Sequence, residues 1–176
     1  MTISLNYLAQ QKKLHEDPNY GEASISYAPL VSQVLAPFTG TASLSDYGAG
    51  KKNLYKALTH LGVKLSGYFP YDPAFPEYGP PQPADLVCCI DVLEHIEPEF
   101  LENVLFQLYE ITKKFGFFSI STGPASKILD DGRNAHLIQK PSSFWLSKLV
   151  KYFEIAHLES VDATTPSFFV LVTPKI

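Results

Sequence analysis

The sequence predicts an α/β fold with a doubly wound, mostly parallel sheet, helices on both faces and an antiparallel C-terminal strand. Apolar runs alternate along the chain with segments whose apolar residues follow helical spacing, which is typical of βα units. The run ADLVCCID, residues 84–91, is apolar between bounding acids, as expected for a strand buried on both faces of a parallel sheet. The last two apolar runs, residues 153–160 and 167–173, lie close enough to form an antiparallel pair.

Each element is predicted from a local pattern. Residues 27–36 place four apolar side chains on one helical face, and Pro29 suits the first turn of that helix. Ser142 is a suitable N-cap for the last helix. In chain order, helices are predicted over residues 27–36, 53–61, from Pro98 onward and over 142–153, and strands over residues 42–47, 63–71, 84–91, 116–122, 153–160 and 167–173.

Length and composition favour one folded domain, residues 1–176. Hydrophobic residues make up 45% of the chain and charged residues 18%, which disfavours disorder. No apolar run is as long as a membrane span, and the N-terminus lacks a signal-peptide pattern. Cys88 and Cys89 are adjacent, which favours a reducing, cytoplasmic setting over a disulfide framework or a metal site. The net charge of −4 disfavours nucleic acid as a general partner.

The glycine-rich stretch DYGAGKK, Asp46 to Lys52, follows the first predicted strand. A triphosphate-binding loop would need a glycine where Ser45 stands and a hydroxyl where Lys52 stands. A dinucleotide fingerprint would need a third glycine where Asn53 stands. The triphosphate interpretation therefore fails and the dinucleotide interpretation is weak, and a third pattern is present, in which an acid precedes two glycines.

Asp46, Gly48 and Gly50 supply that pattern, and two later features accompany it. The second strand ends in Asp72, and residues 85–96 read DLVCCIDVLEHI. With these three elements in order, the chain resembles the class I S-adenosylmethionine (SAM)-dependent methyltransferases. The resemblance implies a Rossmann-like core over residues 41–176 and an N-terminal helical segment, residues 1–40, that covers the cofactor.

The resemblance implies a role for each candidate cofactor-binding residue. Gly48 and Gly50 let the backbone approach the cofactor closely, and Asp46 interacts with its amino group. The Asp72 carboxylate accepts hydrogen bonds from the ribose hydroxyls. Asp91 lies where the methionine part passes, although an N-cap role is about as common for such a residue. The ring of Tyr27, or that of Tyr20, covers the sulfonium.

Two departures from the family pattern point to a compact form. Lys52 stands where the family often has a third glycine. Only 12 residues, 73–84, separate Asp72 from Asp85, and five of them are prolines. A crossover helix and another strand do not fit there, so we predict that the family's strand three is missing. Adenine would then pack on Phe75 or Tyr78.

Two histidines are candidate catalytic residues. His95 follows the strand of residues 84–91, where a group that titrates near neutrality could act as a base. His136 lies on the long loop after the next strand and, with Arg133 and Asn134, could bind an acceptor. Packing in a turn or exposure on a surface loop explains such residues about as well. No metal site is predicted.

The predicted function is SAM-dependent methyl transfer to a small molecule, or to an exposed group of a larger acceptor, with S-adenosyl-L-homocysteine (SAH) as product. Two alternatives remain open at the level of sequence. The missing strand and Lys52 favour a non-catalytic SAM-binding sensor or partner subunit. Another reaction on SAM, such as its cleavage, uses the same cofactor site. The sequence predicts neither the acceptor nor the oligomeric state.

Overall fold

A computed structural model describes residues 1–161 and 166–176 of the chain. We number its helices and strands in chain order. The helices are α1 Leu5–Leu14, α2 Ala23–Leu35, α3 Asn53–His60, α4 Leu101–Ile111 and α5 Ser142–Leu149. The strands are β1 Ser43–Tyr47, β2 Gly67–Tyr71, β3 Ala84–Ile90, β4 Thr112–Ser121, β5 Phe153–Val161 and β6 Ser167–Pro174. Within the described ranges, no helix has the length and apolar character needed to cross a membrane.

The strands form one six-stranded sheet in the order β2-β1-β3-β4-β6-β5. β2, β1, β3 and β4 run parallel, whereas β6 is antiparallel to both β4 and β5. The predicted fold class is therefore confirmed. The carboxyl ends of β1, β2 and β3 meet at one edge of the sheet, where Tyr47 pairs with Tyr71 on one side and with Cys89 on the other.

The segment between β2 and β3 contains no strand. Residues 73–83 include only a single turn of 3-10 helix, Pro76–Tyr78, so β2 is an outer strand of the sheet. The prediction that strand three is missing is confirmed. Prolines lack the N–H group that a sheet ladder needs, and this segment is rich in them.

Two apolar layers cover the two faces of the sheet. Val87 and Cys89 of β3 pack with α4 and α5 on one face, around Trp145, which is fully buried. Leu86 and Cys88 pack with α2 and α3 on the other face. This alternation follows from the two-residue period of a strand. It also explains the adjacent cysteines, because both thiols are free and buried on opposite faces.

Three local predictions were wrong. α2 begins at Ala23, so Pro29 lies inside the helix and not in its first turn. Ser142 is the first residue of α5, and Pro141 occupies the N-cap position without a side-chain hydrogen bond. β2 begins at Gly67, later than predicted, because residues 61–66 form a turn and irregular chain after α3. None of these shifts moves a strand end that faces the candidate site.

Candidate functional site

A cleft of about 1040 Å³, part of it open to solvent, lies where β1, β2 and β3 end. The N-terminal segment forms its other wall, through residues such as Tyr7, His15 and Tyr20. Six of the predicted site residues line this cleft. They are Asp46, Gly48, Gly50, Asp72, Asp91 and His95.

The turn after β1 has a conformation that requires glycine. Gly48 has a φ of +79°, and a Cβ atom on it would lie 2.3 Å from Cγ2 of Val92. The backbone N–H groups of Gly48 and Ala49 both donate to the Tyr71 carbonyl oxygen, at 2.8 and 2.9 Å. The turn is therefore fixed to the end of β2, and its tight approach to Val92 leaves no space for a side chain.

Asp72 connects the same turn to the start of the proline-rich segment. Its Oδ2 accepts from the Gly50 N–H at 2.9 Å and its Oδ1 accepts from the Ala74 N–H at 2.8 Å. The side chain is buried, and this burial raises its pKa. Each carboxylate oxygen has a further lone pair, so Asp72 can still accept hydrogen bonds from a ligand.

Lys52, which stands in place of the family's third glycine, adopts the left-handed conformation with a φ of 59°. Its ammonium lies 4.2 Å from the centroid of the Tyr78 ring, a cation–π contact. The Tyr78 hydroxyl in turn donates to the Gly50 carbonyl oxygen at 2.9 Å. The lysine therefore accepts a glycine-like backbone geometry and secures the outer side of the turn. Phe75 stacks on Tyr78, with centroids 5.3 Å apart.

Asp46 is a buried carboxyl at the end of β1. Burial raises its pKa to about 7, although the Tyr68 hydroxyl, which donates to Oδ2 at 2.8 Å, opposes the shift. The group therefore changes charge near neutral pH. No Lys or Arg side chain lines the cleft among the residues that the structure describes, so a cationic ligand would supply the missing counter-charge.

The raised pKa of Asp46 predicts a pH-dependent effect of Asp46→Asn on stability. In the folded chain the carboxyl keeps its proton up to about pH 7, whereas the unfolded chain loses it near pH 3.8. This contribution to stability is complete below the unfolded value and is lost as the pH rises through the folded one. Relative to the variant, the wild type should lose up to about 4 kcal/mol of unfolding free energy across that window. Urea unfolding at several pH values measures this change.

Asp85→Asn is the matched control for that experiment. Asp85 lies at the opposite end of the sheet, where the Ser43 N–H and hydroxyl and the Lys114 ammonium hold its pKa well below the usual range. Its contribution is lost only in acid, so its effect should stay constant above about pH 5. Parallel stability profiles for wild type and Asp46→Asn would contradict the role of the buried carboxyl. These contacts give Asp85 a structural role.

His15 enters the cleft from the end of α1, which sequence analysis did not predict. Its Nε2 lies 3.9 Å from Asp72 Oδ2, and burial lowers its pKa. Its ring packs edge-on against Tyr20 and Phe75, each with centroids 5.0 Å away. No sequence pattern marks this histidine, because its position depends on how α1 docks on the sheet.

Polar contacts hold the N-terminal segment over the cleft from several sides. The N–H and hydroxyl of Ser4 donate to the buried Glu97 carboxylate at 2.7 and 2.6 Å. Lys51, from the glycine-rich turn, donates to the Asp17 carbonyl oxygen. Lys127, from the loop after β4, pairs with the Asp17 carboxylate at 2.7 Å. The first lysine of the GKK sequence therefore anchors the covering segment.

Tyr27 does not reach the cleft. It packs edge-on against Phe117 and Phe169 in the apolar layer under α2, with centroids 5.9 and 6.2 Å away. Because α2 starts at Ala23, the helix directs Tyr27 toward the sheet. Tyr20 precedes the helix and does line the cleft. Of the two predicted tyrosines, Tyr20 therefore lies beside the site and Tyr27 does not.

The segment after β3 carries Asp91 and His95, and the loop after β4 brings His136 beside them. The His95 and His136 rings are perpendicular, with centroids 4.7 Å apart. Burial lowers the pKa of His95 to about 4. Glu94, which lies between Asp91 and His95 in the sequence, is fully buried, and its carboxylate accepts a hydrogen bond from the Ser121 N–H. Its pKa is raised, first by burial and then by the nearby charge of Asp91.

The other two candidates on the loop after β4 have structural partners. Asn134 exchanges hydrogen bonds with the backbone of Ala125 at 2.9 and 2.8 Å, and its Oδ1 also accepts from the His136 N–H. Arg133 pairs with Asp131 at 2.7 Å and lies over the Tyr7 ring, 5.7 Å from its centroid. Asn134 therefore positions His136, and Arg133 holds the loop against the N-terminal segment.

Fold and cleft together define the class: the chain has the fold of the class I SAM-dependent methyltransferases. A Burkholderia thailandensis 1,6-didemethyltoxoflavin N1-methyltransferase, solved with SAH, matches with a TM-score of 0.66 and 15% identity, over 100% of this chain and 92% of that one. A SAM-bound magnesium protoporphyrin IX methyltransferase from Synechocystis matches with a TM-score of 0.65 and 13% identity, over 99% and 100%.

A third solved structure, the N-methyltransferase NodS from Bradyrhizobium japonicum with SAH, matches with a TM-score of 0.60 and 10% identity, over 97% of this chain and 96% of that one. No protein-family model matches the sequence, and a comparison with curated protein sequences gives no match. The likeness thus rests on the fold, and the resemblance first drawn from Asp46, Asp72 and residues 85–96 is confirmed at that level.

Proposed function

We propose that the protein is a SAM-dependent methyltransferase whose cofactor binds in the cleft at the carboxyl ends of β1, β2 and β3. The charge of the cleft carries this proposal. Four acidic residues line the cleft: Asp46, Asp72, Asp91 and Glu97. No lysine or arginine lines it among the residues that the structure describes. SAM has a sulfonium and an ammonium against one carboxylate, so an acidic cleft suits it. A polyphosphate nucleotide would instead need cations or a phosphate-binding loop.

In this proposal each part of SAM meets named groups. The turn at Gly48 and Gly50 would lie close to the nucleoside, because the turn is tied to Asp72 and to the end of β2. Asp72 would accept from the ribose hydroxyls with its remaining lone pairs. Asp46 would receive the ammonium, which favours its ionised form. The adenine would pack beside Pro73 and Ala74, which line the cleft next to the stacked ring of Phe75.

Methyl transfer needs the acceptor in line with the sulfonium and little covalent help from the protein. Asp91 and His95 line the cleft beyond the glycine-rich turn, with His136 against His95, and this end of the cleft would receive the acceptor. The three similar structures are methyltransferases, two of which are named for a small-molecule acceptor, and we extend to this chain a small-molecule acceptor or an exposed group of a larger one. Two buried free thiols suit a reducing cytoplasm.

Titration calorimetry with SAM and SAH tests the proposal directly. Both should bind at one site per chain, and NAD and ATP should not bind. Incubation with SAM and a panel of acceptors should then give SAH together with a methylated product. Failure to bind SAM or SAH at millimolar concentration would refute the proposal.

Two further outcomes separate the alternatives that the sequence left open. Binding of SAM without turnover on any acceptor would favour a sensor or partner subunit, which the missing strand three makes worth testing. Breakdown of SAM without an acceptor would indicate cleavage of the cofactor. Chromatography of the products after incubation with SAM alone distinguishes the two.

A further inference from the structure

Three side chains that can bind a metal ion converge at the end of the cleft. Asp91 follows β3, His95 follows it by one helical turn, and His136 arrives from the loop after β4. One ligand-type atom from each lies within 4.8 Å of the other two. Around a single ion with bonds of about 2.1 Å, such atoms would lie roughly 3–4 Å apart. Small rotations of the three side chains would therefore bring the ligand atoms to the distances that one shared ion requires.

The two histidines are prepared for such a role. Nδ1 of His136 lies 2.7 Å from the Gly123 carbonyl oxygen, which fixes the proton on that nitrogen and leaves the Nε2 lone pair free. A carbonyl partner of this kind is the usual support of a metal-binding histidine. Nδ1 of His95 is buried and has no hydrogen-bond partner within residues 1–161 and 166–176. Buried polar atoms are seldom left unpaired without a reason.

The backbone conformation of Asp91 is also unusual. Asp91 has a φ of +57°, in the left-handed region that few residues other than glycine, asparagine and aspartate adopt. Its N–H donates to both the carbonyl oxygen and the hydroxyl of Ser119, each at 3.1 Å, which holds it in place. This backbone position is that of the residue that would supply the carboxylate. Beside it, Oε2 of Glu94 is also buried and has no hydrogen-bond partner among the described residues.

We propose that Asp91, His95 and His136 bind one divalent transition-metal ion, of the Zn²⁺, Co²⁺ or Mn²⁺ kind, with open coordination positions toward the cleft. The two imidazoles suit Zn²⁺ and Co²⁺, and the carboxylate with open positions for further oxygen ligands also admits Mn²⁺, whereas Mg²⁺ and Ca²⁺ prefer sets made of oxygen ligands alone. Three protein ligands are typical of sites that keep a position for a substrate or water. The three residues come from two separate parts of the chain, so no sequence spacing predicted this site.

The metal site also defines a class of acceptor, and this step rests on the proposed methyltransferase function. A hydroxyl oxygen bound to the ion loses its proton to solvent more easily, because the ion stabilises the oxyanion. That oxygen then forms a bond to the methyl carbon while the carbon–sulfur bond breaks, and the electron pair stays on sulfur. SAM becomes SAH, the hydroxyl becomes a methyl ether, and one proton is released. The acceptor is thus an oxygen nucleophile.

Cobalt binding tests the site without any assay of activity. The full chain, stripped with a chelator, should bind one equivalent of Co²⁺ and develop visible absorption of a nitrogen- and oxygen-ligated ion. His136→Ala should weaken Co²⁺ binding by more than about 100-fold, because even the loss of an outer partner of a ligand costs about 10–100-fold. His157→Ala is the matched control, since His157 is exposed on β5 and pairs with Glu159. It should bind Co²⁺ like the wild type.

Acetohydroxamate, a chelating oxygen ligand, probes the open positions. It should shift the visible spectrum of the Co²⁺-loaded protein, and an unchanged spectrum would overturn the inference that these positions face the cleft. If His136→Ala does not fold, His136→Gln and Asp91→Asn, which keep similar volume, provide the same comparison. Absence of Co²⁺, Zn²⁺ and Mn²⁺ binding, or binding equal in wild type and in the His136 and Asp91 variants, would overturn the site.

Titration of the same samples with SAH keeps the two proposals separate. SAH binding without metal binding would remove the metal site and leave the proposed function intact. Metal binding without SAH binding would support the site while refuting the methyltransferase assignment.

Discussion

Replacement of Gly48 by alanine should lower the unfolding free energy by about 2–5 kcal/mol and abolish measurable SAM binding. Two costs add at this position. A left-handed conformation costs an alanine about 1–2 kcal/mol. The new Cβ would lie 2.3 Å from Cγ2 of Val92 and 3.2 Å from its Cγ1, and overpacking of this kind costs about 1–3 kcal/mol. If Val92 moved to relieve this clash, it would displace the segment that places Asp91 in the cleft.

Gly132→Ala separates the two costs. Gly132 has a φ of +85°, but a Cβ atom on it would meet nothing within 4 Å. This variant should therefore show only the conformational cost and bind SAM normally. The double variant Gly48→Ala/Val92→Ala should recover part of the loss through the coupling between the two side chains. Equal destabilisation by Gly48→Ala and Gly132→Ala in urea unfolding would show that the contact with Val92 is unimportant.

The sheet was predictable from sequence because its pattern is local. Most of the strands contain an apolar run, and the acids that bound residues 84–91 mark a strand covered on both faces. The missing strand three was predictable for a related reason. Too few residues separate Asp72 from Asp85 for a crossover, and prolines fill that space. Chain length and backbone chemistry are both visible in the sequence.

The N-terminal contribution to the cleft was only partly predictable. A covering segment was expected, but its contact residues depend on where α2 begins. A shift of the helix start to Ala23 directs Tyr27 into the apolar layer and leaves Tyr20 at the cleft. His15 reaches Asp72 only because contacts such as Lys51 with the Asp17 carbonyl dock the segment. These are tertiary contacts between polar side chains, and no periodic pattern encodes them.

The meeting of Asp91, His95 and His136 illustrates the same limit. Sequence analysis named all three, each for a separate reason, and gave none of them a metal. The path of the loop after β4 brings His136 back to the cleft, and the Asn134 amide sets that path through its hydrogen bonds to Ala125. Asn134, which was expected to bind an acceptor, instead positions His136, a candidate metal ligand.

Asp72→Asn should weaken SAM and SAH binding by about 1–3 kcal/mol, or roughly 5- to 150-fold, the range for hydrogen bonds to a charged group. Both carboxylate oxygens accept a backbone N–H, one from Gly50 and one from Ala74. An amide replaces one acceptor oxygen with a donor, so one of these N–H groups must face another N–H. Either the glycine-rich turn or the start of the proline-rich segment then loses its hydrogen bond to residue 72, and the ligand loses an acceptor.

Glu77→Gln is the control for charge, because Glu77 is exposed on the same proline-rich segment; it should bind SAH as the wild type does. An SAH analogue that lacks both ribose hydroxyls separates the two effects of the Asp72 change. If Asp72 accepts from those hydroxyls, the substitution should weaken SAH binding much more than binding of the analogue. If both ligands lose affinity equally, Asp72 acts only through the turn, and its direct contact with the ribose is refuted. Calorimetry on samples with unchanged circular dichroism measures this difference, and it decides whether the acid at the end of β2 binds the cofactor itself or only shapes the turn.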